Sequence, residues 1–519
     1  MIKKLICLLL CLVMALSAAA AADERLNFTF GMVYEMGSAL NPLYCNQRDL
    51  VSINEMVFEG VMTLDDQLKP VCELALSVEP EYLYGQNDEI IGATGSYTVY
   101  LHEHIKFHDG SELCAQDVYE TYMHIMALGD SCPYYVRCGY ISNMEVLGEY
   151  QLRVTGKYNS YMTLYALTFP VLQRTTLTWD MPIGTGPYWY MHKENEWLQI
   201  DCNPYWWKKA ATVETITVFR YNETGDALKA LGSGDVDAVP TRSQMAALGR
   251  LLNDRISVDY TTLTYEMLIP NTHDERFNDV RTRQAIMYAL DVSTIGRNIY
   301  MDMVTKSEVP VVTGSWLYEP QSTTYFHSLE RAQQLLIEAG WGDFNEDGIL
   351  DKVVDGILVE LSFTISTCVD DAAGTRTRAA DLIADQLSVL GINVEVKKMS
   401  RTNLQKSLKN RDFEMALCGI NLSVLPDLTF LLNSGGRMNY SGFSDTVTNQ
   451  LLLDVYDAWN EDLFRSCYSK LQLRLVEELP FMGLFFRKGT LMTTADIVSG
   501  FDGVIEGDVL RGFEYVEFN

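Results

Sequence analysis

The acidic segment Asp343–Asp351 carries the residue types of a calcium-binding loop. Side chains with oxygen atoms stand at its first, third, fifth and ninth positions, and Gly348 stands at the sixth. A loop of this class needs a bidentate glutamate at position twelve, where this chain has Val354. Because Asp-Gly is also a strong turn signal, we predict an acidic hairpin turn here rather than a metal site.

Three histidines, His102, His104 and His108, lie close together in the sequence. They lack the helical i, i+4 spacing of zinc hydrolases, so we predict that they are solvent-facing strand residues. The chain also lacks a Gly-x-Ser-x-Gly elbow, a Walker loop and zinc-type cysteine pairs. No catalytic residue, metal or cofactor is therefore expected. A secreted hydrolase is the alternative from another class, and it would need a catalytic dyad that the sequence does not display.

The stretch Ser96–Met126 pairs a strand with a helix across a tight turn. Alternate positions from Tyr97 to Phe107 are mostly apolar, which is the pattern of a half-buried strand. Asp109-Gly110 then turns the chain. Apolar residues recur at i, i+4, i+7 and i+8 from Val118, so we predict a helix that packs one stripe against the sheet.

The residues of this stretch resemble a family signature. The run Phe107, Asp109-Gly110, Ala115, Asp117-Val118 is similar to the F-x-D-G-x-x-x-x-A-x-D-V motif of the large extracytoplasmic solute-binding proteins that supply ATP-binding-cassette importers with peptides or nickel. Further segments resemble the family in the same order along the chain, from about Leu26 to the C-terminus. They are Gly184–Tyr188, Asp235–Val239, Phe277–Asp291 and Ser328–Trp341.

Helix caps can be placed within these segments. Asp279 and Ser328 each precede an apolar stripe of helical spacing, and Asp291 can cap the helix that follows. Further on, helices are predicted over Ala379–Val389 and Arg401–Leu408, with strands over 392–396 and 413–418. This alternation predicts an α/β unit with a parallel sheet.

The resemblance implies an α/β, periplasmic-binding-protein-like fold with two lobes, a hinge and an extra domain. Domain I would comprise residues 23–64, 181–270 and 485–519, domain II residues 65–180, and domain III residues 271–484. The ligand would close between domains I and III. We expect the hinge near Leu268–Thr272 and Leu484–Lys488.

The resemblance also places several loop aromatics on the walls of the cleft. Aromatic walls with few polar groups bury apolar ligand surface and leave orientation to hydrogen bonds. The ligand-binding residues predicted in this way are Tyr34, Tyr44, Trp316, Tyr440 and Phe443, together with Asp427.

Asp427 is included because the sequence departs from the family pattern near the turn Pro426-Asp427. Peptide-binding relatives commonly carry an acidic residue shortly before this turn, and that acid pairs with the peptide's amino terminus. Here Leu422 and its neighbours supply no acid, and a buried ammonium without a partner is costly, so Asp427 is the predicted substitute. An oligopeptide or dipeptide is the first ligand expected. A nickel chelate or a small glycan is next, and a structural or chaperone-like surface protein is a further alternative.

The N-terminus has the layout of a secretory signal peptide. Lys3 and Lys4 precede an apolar run and a track of alanines that ends at Ala22, so we predict that residues 1–22 are removed. Cys7 and Cys11 are not placed for lipid modification. No later run of about 18 apolar residues suggests a membrane span, so we expect a protein exported to the periplasm or the cell surface and soluble after cleavage.

Charge and cysteine content limit the partners. The formal charge is −29, and loss of two lysines with the signal peptide makes it −31, which repels phosphate backbones and excludes nucleic acid. The expected partners are the small ligand and the permease subunits of an importer, and the protein is expected to be a monomer.

Nine cysteines remain after cleavage and are predicted to be core residues, with Cys132 and Cys138 as the one local disulfide candidate.

Overall fold

A computed structural model describes residues 27–244, 255–369, 373–494 and 496–519. The predicted signal peptide, residues 1–22, lies outside the described residues. Across these described ranges, every helix is too short or too polar to cross a bilayer.

Strands and helices alternate along the described chain, as the sequence predicts. The strands are β1 (Asn27–Val33), β2 (Met62–Leu64), β3 (Pro70–Cys72), β4 (Ala75–Tyr84), β5 (Ile90–Leu101), β6 (Ile141–Gly148), β7 (Gln151–Gly156), β8 (Tyr188–Lys193), β9 (Trp197–Cys202), β10 (Thr215–Tyr221), β11 (Ala238–Thr241), β12 (Arg255–Pro270), β13 (Val304–Lys306), β14 (Asp351–Val354), β15 (Ile357–Glu360), β16 (Ser362–Cys368), β17 (Asn393–Met399), β18 (Met415–Asn421), β19 (Met482–Thr494), β20 (Ile497–Ser499) and β21 (Glu517–Phe518). The α-helices are α1 (Arg48–Val57), α2 (Ala115–Leu128), α3 (Tyr135–Cys138), α4 (Thr224–Ser233), α5 (Val280–Ala289), α6 (Val292–Tyr300), α7 (Leu329–Glu338), α8 (Thr375–Ser388), α9 (Arg401–Asn410), α10 (Thr429–Leu432), α11 (Thr446–Tyr456) and α12 (Glu461–Glu478).

One eleven-stranded sheet runs through the molecule in the order β17-β16-β18-β12-β19-β11-β1-β10-β9-β8, with β13 paired to β19. β1 is parallel to β10 and β11, and β16 is parallel to β17 and β18. Parallel neighbours need crossover connections, which the intervening helices supply. We call β1 and β8–β11, with α1 and α4, lobe I, and we call β16–β18, with α5–α12, lobe III.

The long strands β12 and β19 join the lobes. Residues 255–261 of β12 pair with β19 beside lobe I, whereas Thr264–Pro270 pair with β18 of lobe III. A register shift separates Thr261 from Tyr265, so β12 changes lobes there, a few residues before the expected hinge at Leu268–Thr272. Gly489 of β19 lies opposite this crossing, and a Cβ at that position would stand 2.2 Å from the Tyr260 ring.

The segment predicted as domain II, residues 65–180, contains a separate antiparallel sheet, β4-β5-β7-β6, against which α2 packs, and we keep that name for the segment. The predicted strand ends at Leu101 rather than at Phe107. His104 takes a left-handed backbone conformation, with φ of 65°, which breaks the strand. Residues 102–113 therefore form a turn that leads into α2, and Phe107 is buried within it.

The predicted helix caps are confirmed. Asp279, Asp291 and Ser328 accept hydrogen bonds from the backbone N–H groups of Arg281, Thr294 and Arg331 at 2.9, 2.9 and 3.2 Å. These bonds satisfy donors that a helix N-terminus otherwise leaves without a partner, which is why such residues mark helix starts.

The acidic loop is a turn, as predicted. The Asp343 carboxylate accepts hydrogen bonds from the N–H groups of Asp347 and Gly348 at 3.0 Å each, and a bridge between Gly342 and Asp351 closes the loop. Within the described ranges, three or more histidine, cysteine or acidic side chains never converge in a way that could hold a metal.

Cys132 and Cys138 are buried free thiols, so the candidate disulfide is not formed. The seven other cysteines of the described chain are also free thiols.

His108 is buried, so the prediction that it faces solvent is wrong. The N–H of Gly184 donates to Nδ1 at 3.1 Å, which leaves the proton on Nε2, and Nε2 donates to the carbonyl of Gly186 at 3.2 Å. The imidazole therefore ties the turn before α2 to the Gly184–Tyr188 segment that returns to lobe I. Burial lowers the pKa of His108 to about 3.

The pH dependence of stability should report this neutral histidine. Its pKa in the unfolded chain is about 6.5, so below that pH protonation favours unfolding, by up to about 1.4 kcal/mol per pH unit until the folded pKa is reached. In urea unfolding at pH 7 to 4, the stability of the native sequence should fall more steeply than that of His108→Gln. His327→Gln, at an exposed histidine, is the control. Equal slopes for native protein and His108→Gln would contradict this assignment.

Candidate functional site

A cavity of about 1070 Å³ lies where β12 and β19 cross between the lobes. Lobe I contributes Arg48 and residues 242–244 to its lining, the crossing strands contribute Thr262 and Arg487, and lobe III supplies most of the rest. Small-molecule sites usually have volumes of about 300–1,000 Å³, so this cavity has room for a ligand of several residues.

The cavity lies at the carboxyl ends of parallel strands in both lobes. In lobe III, Cys368 ends β16, Asn421 ends β18, and the first turns of α8 and α9 follow β16 and β17. In lobe I, Arg48 begins α1 after β1, and Arg242 follows β11. Ligands of open α/β sheets bind at this edge because loops and helix N-termini gather there.

The lining is strongly basic. Among the described residues that line it, seven are cationic and none carries a carboxylate. The cationic residues are Arg48, Arg242, Arg376, Arg378, Arg401, Arg487 and Lys488. This contrasts with the formal charge of −29 for the whole chain.

Glu266 on β12 holds two of these guanidinium groups. It is fully buried, and its carboxylate pairs with Arg376 of α8 at 2.8 Å and with Arg487 of β19 at 2.7 Å. Gly419 of β18 leaves room for this arrangement, because a Cβ there would stand 2.6 Å from the Arg376 guanidinium. One carboxylate therefore fixes side chains from lobe III and from a crossing strand at the cavity wall.

A second group of cations comes from lobe I and from the crossing strand β19. Arg48 and Arg242 both pair with Glu506, and Lys488 lies 3.8 Å from Asp259. Burial and the neighbouring guanidinium groups of Arg48 and Arg487 lower the pKa of Arg242 to about 9. Burial is the main cause of this pKa shift, and the like charges crowded at this wall add to it.

Of the six predicted ligand-binding residues, Tyr440 lines this cavity. Trp316 lines a separate cavity of about 50 Å³, where its Nε1–H donates to the Tyr165 hydroxyl at 2.8 Å. Tyr44 is 37% exposed and its hydroxyl lies 2.9 Å from His124 Nε2.

Tyr34 and Phe443 are both buried away from the large cavity. Burial raises the pKa of Tyr34 to about 12. The six residues therefore lie at several separate places, and the structure does not bring them together as one cleft wall.

Asp427 lies at a contact between domain II and lobe III. Its carboxylate accepts hydrogen bonds from the Tyr140 hydroxyl of domain II and from the N–H and hydroxyl of Thr429, the latter two at 2.8 and 2.6 Å. Nearby, the rings of Tyr158 and Tyr456 stand 4.4 Å apart across the same boundary. The carboxylate is thus occupied by protein donors rather than directed into the large cavity.

Sequence reasoning missed the basic residues of the cavity. A usable signal was present, because Arg376, Arg378 and Arg401 stand in the first turns of α8 and α9, where no acidic residue is found. The positive end of the helix dipole disfavours cations at that position. Arginines that violate this preference in two neighbouring βα units mark a place where positive charge is concentrated.

The two lobes and the cavity between them agree with the protein family that the sequence matches. The family described as "Bacterial extracellular solute-binding proteins, family 5 Middle" matches residues 88–441, more than half of the chain. The chain belongs to this family of extracellular solute-binding proteins.

Relatives of this family-5 protein extend over nearly the whole chain. The oligopeptide-binding protein AppA of Bacillus subtilis is 24% identical over 469 residues, which are 86% of this chain and 83% of AppA. The structure of a nickel ABC transporter protein from Bacillus halodurans has a TM-score of 0.80, 17% identity, and covers 94% of this chain and 99% of its own. NikA from Brucella suis, in complex with Fe(III)-EDTA, has a TM-score of 0.76, 19% identity, and covers 95% and 100%. The predicted periplasmic-binding-protein-like α/β fold is confirmed.

Removal of Glu266 should destabilise this family-5 protein. Glu266→Ala leaves Arg376 and Arg487 without the buried carboxylate between them, and loss of one partner of a buried pair costs about 3–5 kcal/mol. Urea unfolding followed by circular dichroism and tryptophan fluorescence should show this loss. The control Glu395→Ala, at an exposed glutamate on β17, should change stability by less than about 0.5 kcal/mol. Equal stability of the two variants would contradict the role assigned to Glu266.

Proposed function

We propose that this chain is the exported receptor subunit of an ATP-binding-cassette importer, which captures a small ligand by closing two lobes and delivers it to the membrane permease. It changes no bond of the ligand and acts as a soluble monomer once its signal peptide is removed. Membership of the extracellular solute-binding family supports the class, and the putative ABC transporter peptide-binding proteins among its relatives support the importer.

A cavity lined from both lobes is the main support for this proposal. It lies where β12 and β19 cross between the lobes, and they are the only strands of the described sheet that do so. A register shift interrupts the pairing of these strands at Thr261–Tyr265. Strand bulges of this kind bend a sheet locally. Rotation about this crossing would open and close the cavity without unfolding either lobe, which is how hinge closure works.

An oligopeptide or dipeptide remains the first ligand, because the relative with matches over 86% of the chain is an oligopeptide-binding protein. A metal chelate is the second candidate, since the cavity is basic and neighbours of this fold include NikA with Fe(III)-EDTA. We keep Tyr440 as a ligand contact, and we assign Asp427 to lobe closure rather than to a peptide amine. The other predicted residues, Tyr34, Tyr44, Trp316 and Phe443, stay predictions.

Ligand should compact the protein. We expect the radius of gyration from small-angle scattering to fall when a tryptic digest of casein is added to ligand-stripped protein, because closure brings the lobes together. Tryptophan emission recorded on the same samples gives a second readout of closure. Identical dimensions at saturating binding, as established by calorimetry, would contradict hinge closure.

The contact between Tyr140 and Asp427 should favour the closed form. Tyr140→Phe removes the donor of this hydrogen bond, and Asp427→Asn removes the charge of its acceptor. A hydrogen bond to a charged group contributes about 1.5–3 kcal/mol, so each variant should weaken ligand binding by about tenfold or more. Peptides with free and with acetylated amino termini should be affected alike. Tyr119→Phe on α2 is the control. A loss confined to free amino termini in Asp427→Asn would instead assign Asp427 to the peptide amine.

A further inference from the structure

We infer that the ligand of the large cavity is a small polyanion, carrying at least two carboxylate or phosphate groups that Arg378, Arg401 and the lobe I cations bind. This inference rests on the proposed function and narrows its ligand class. Carboxylates and phosphates are recognised in the same way, because a planar guanidinium group can donate two parallel hydrogen bonds to either of them.

The charge balance of the lining is the first support. Three carboxylates form ion pairs with five of the seven cationic residues. Glu266 pairs with Arg376 and Arg487, Glu506 with Arg48 and Arg242, and Asp259 with Lys488. A fourth acid, Asp49, lies close to Arg48 and Arg242, and its carboxylate accepts a hydrogen bond from the N–H of Val33 at 2.8 Å. Arg378 and Arg401 are thus the two cations of the lining for which the described residues supply no carboxylate.

The second support is the state of two arginines. Arg378 and Arg401 are exposed on the lobe III wall, and neither guanidinium forms an ion pair or a side-chain hydrogen bond with any described residue. A guanidinium carries five donors, so these two groups have their full hydrogen-bonding capacity for a ligand. They stand on different helices and can therefore hold two separate acid groups of one molecule.

The third support is the backbone at the same wall. Arg401 is the first residue of α9, and Arg378 lies in the first turn of α8, helices of 10 and 14 residues. The N-terminal end of a helix carries partial positive charge and free N–H donors. Backbone and side chains therefore contribute potential of the same sign, which favours anions and opposes a ligand ammonium group.

The absence of carboxylates on the described lining distinguishes this class from an ordinary peptide. A neutral dipeptide brings one ammonium and one carboxylate, and the ammonium would meet cations in this cavity. A peptide with acidic side chains or a blocked amino terminus would instead carry a net negative charge, which this lining favours. Asp370 and Asp371, between β16 and α8 in the sequence, lie outside the described residues.

The test uses the mature full chain and a panel of matched probes in isothermal titration calorimetry. The tripeptides Ala-Glu-Glu, Ala-Gln-Gln and Ala-Lys-Lys differ in charge at similar size, while citrate and pyrophosphate represent non-peptide carboxylates and phosphates. At least one of Ala-Glu-Glu, citrate and pyrophosphate should bind ten times or more as tightly as Ala-Gln-Gln, and Ala-Lys-Lys should bind most weakly. The anionic probe that binds best identifies the source of the acid groups.

The double variant Arg378→Gln/Arg401→Gln should weaken the best anionic probe by at least about tenfold and should reduce the salt dependence of its binding. The control is Lys406→Gln, on α9 but not on the cavity lining, which removes a cation from the same helix. Unchanged melting temperatures of the ligand-free variants will show that folding is intact.

Two results would overturn the inference, and they are distinguishable. If Ala-Gln-Gln or Ala-Lys-Lys binds as tightly as every anionic probe, or if the double variant binds anions as the control does, the charge inference is wrong while solute capture stands. If no probe of any charge binds, the proposed function is contradicted together with the inference.

Discussion

The buried carboxylate of Glu266 is the constraint on which the basic cavity depends. It stands on β12, one of the strands that pass between the lobes, and it pairs with guanidinium groups from α8 and β19. Burial of an isolated carboxylate is unfavourable, so both arginines are needed beside it, and they in turn cannot leave it. Glu266 therefore fixes the crossing strands, the cavity wall and the first turn of α8 relative to one another.

This constraint explains how a chain of formal charge −29 can carry a basic cavity. Net charge governs solubility and long-range encounter, whereas the sign of a cleft depends on the few side chains that line it. At an effective dielectric constant of about 20, two like charges about 8 Å apart repel by about 2 kcal/mol. Among the described residues, Arg378 and Arg401 have no carboxylate partner, so a bound anion would relieve this repulsion.

Local signals in the sequence were sufficient for much of the fold. Asp279, Asp291 and Ser328 cap helices because their side chains bond N–H groups only two or three residues away, a relation visible in one window of sequence. The burial of His108 could not be predicted in this way, since its partners Gly184 and Gly186 lie more than 70 residues further along the chain.

The site was predicted less well, for the same reason. Tyr440 lies on the cavity, but Glu266 and Arg487 are separated by 221 residues and meet only because β12 and β19 pair. Asp427 was expected to face a ligand amine, and its acceptance of a hydrogen bond from Tyr140, 287 residues away, depends on how domain II approaches lobe III. Contacts between residues this far apart in the sequence depend on the topology of the fold and cannot be predicted from the spacing of residues.

We propose that this receptor closes on a small polyanion. Native mass spectrometry of protein purified without denaturation from the organism that makes it, followed by identification of the released ligand, tests this most directly. We expect a non-covalent adduct whose ligand carries at least two carboxylate or phosphate groups. A ligand that is neutral or cationic at neutral pH would contradict it.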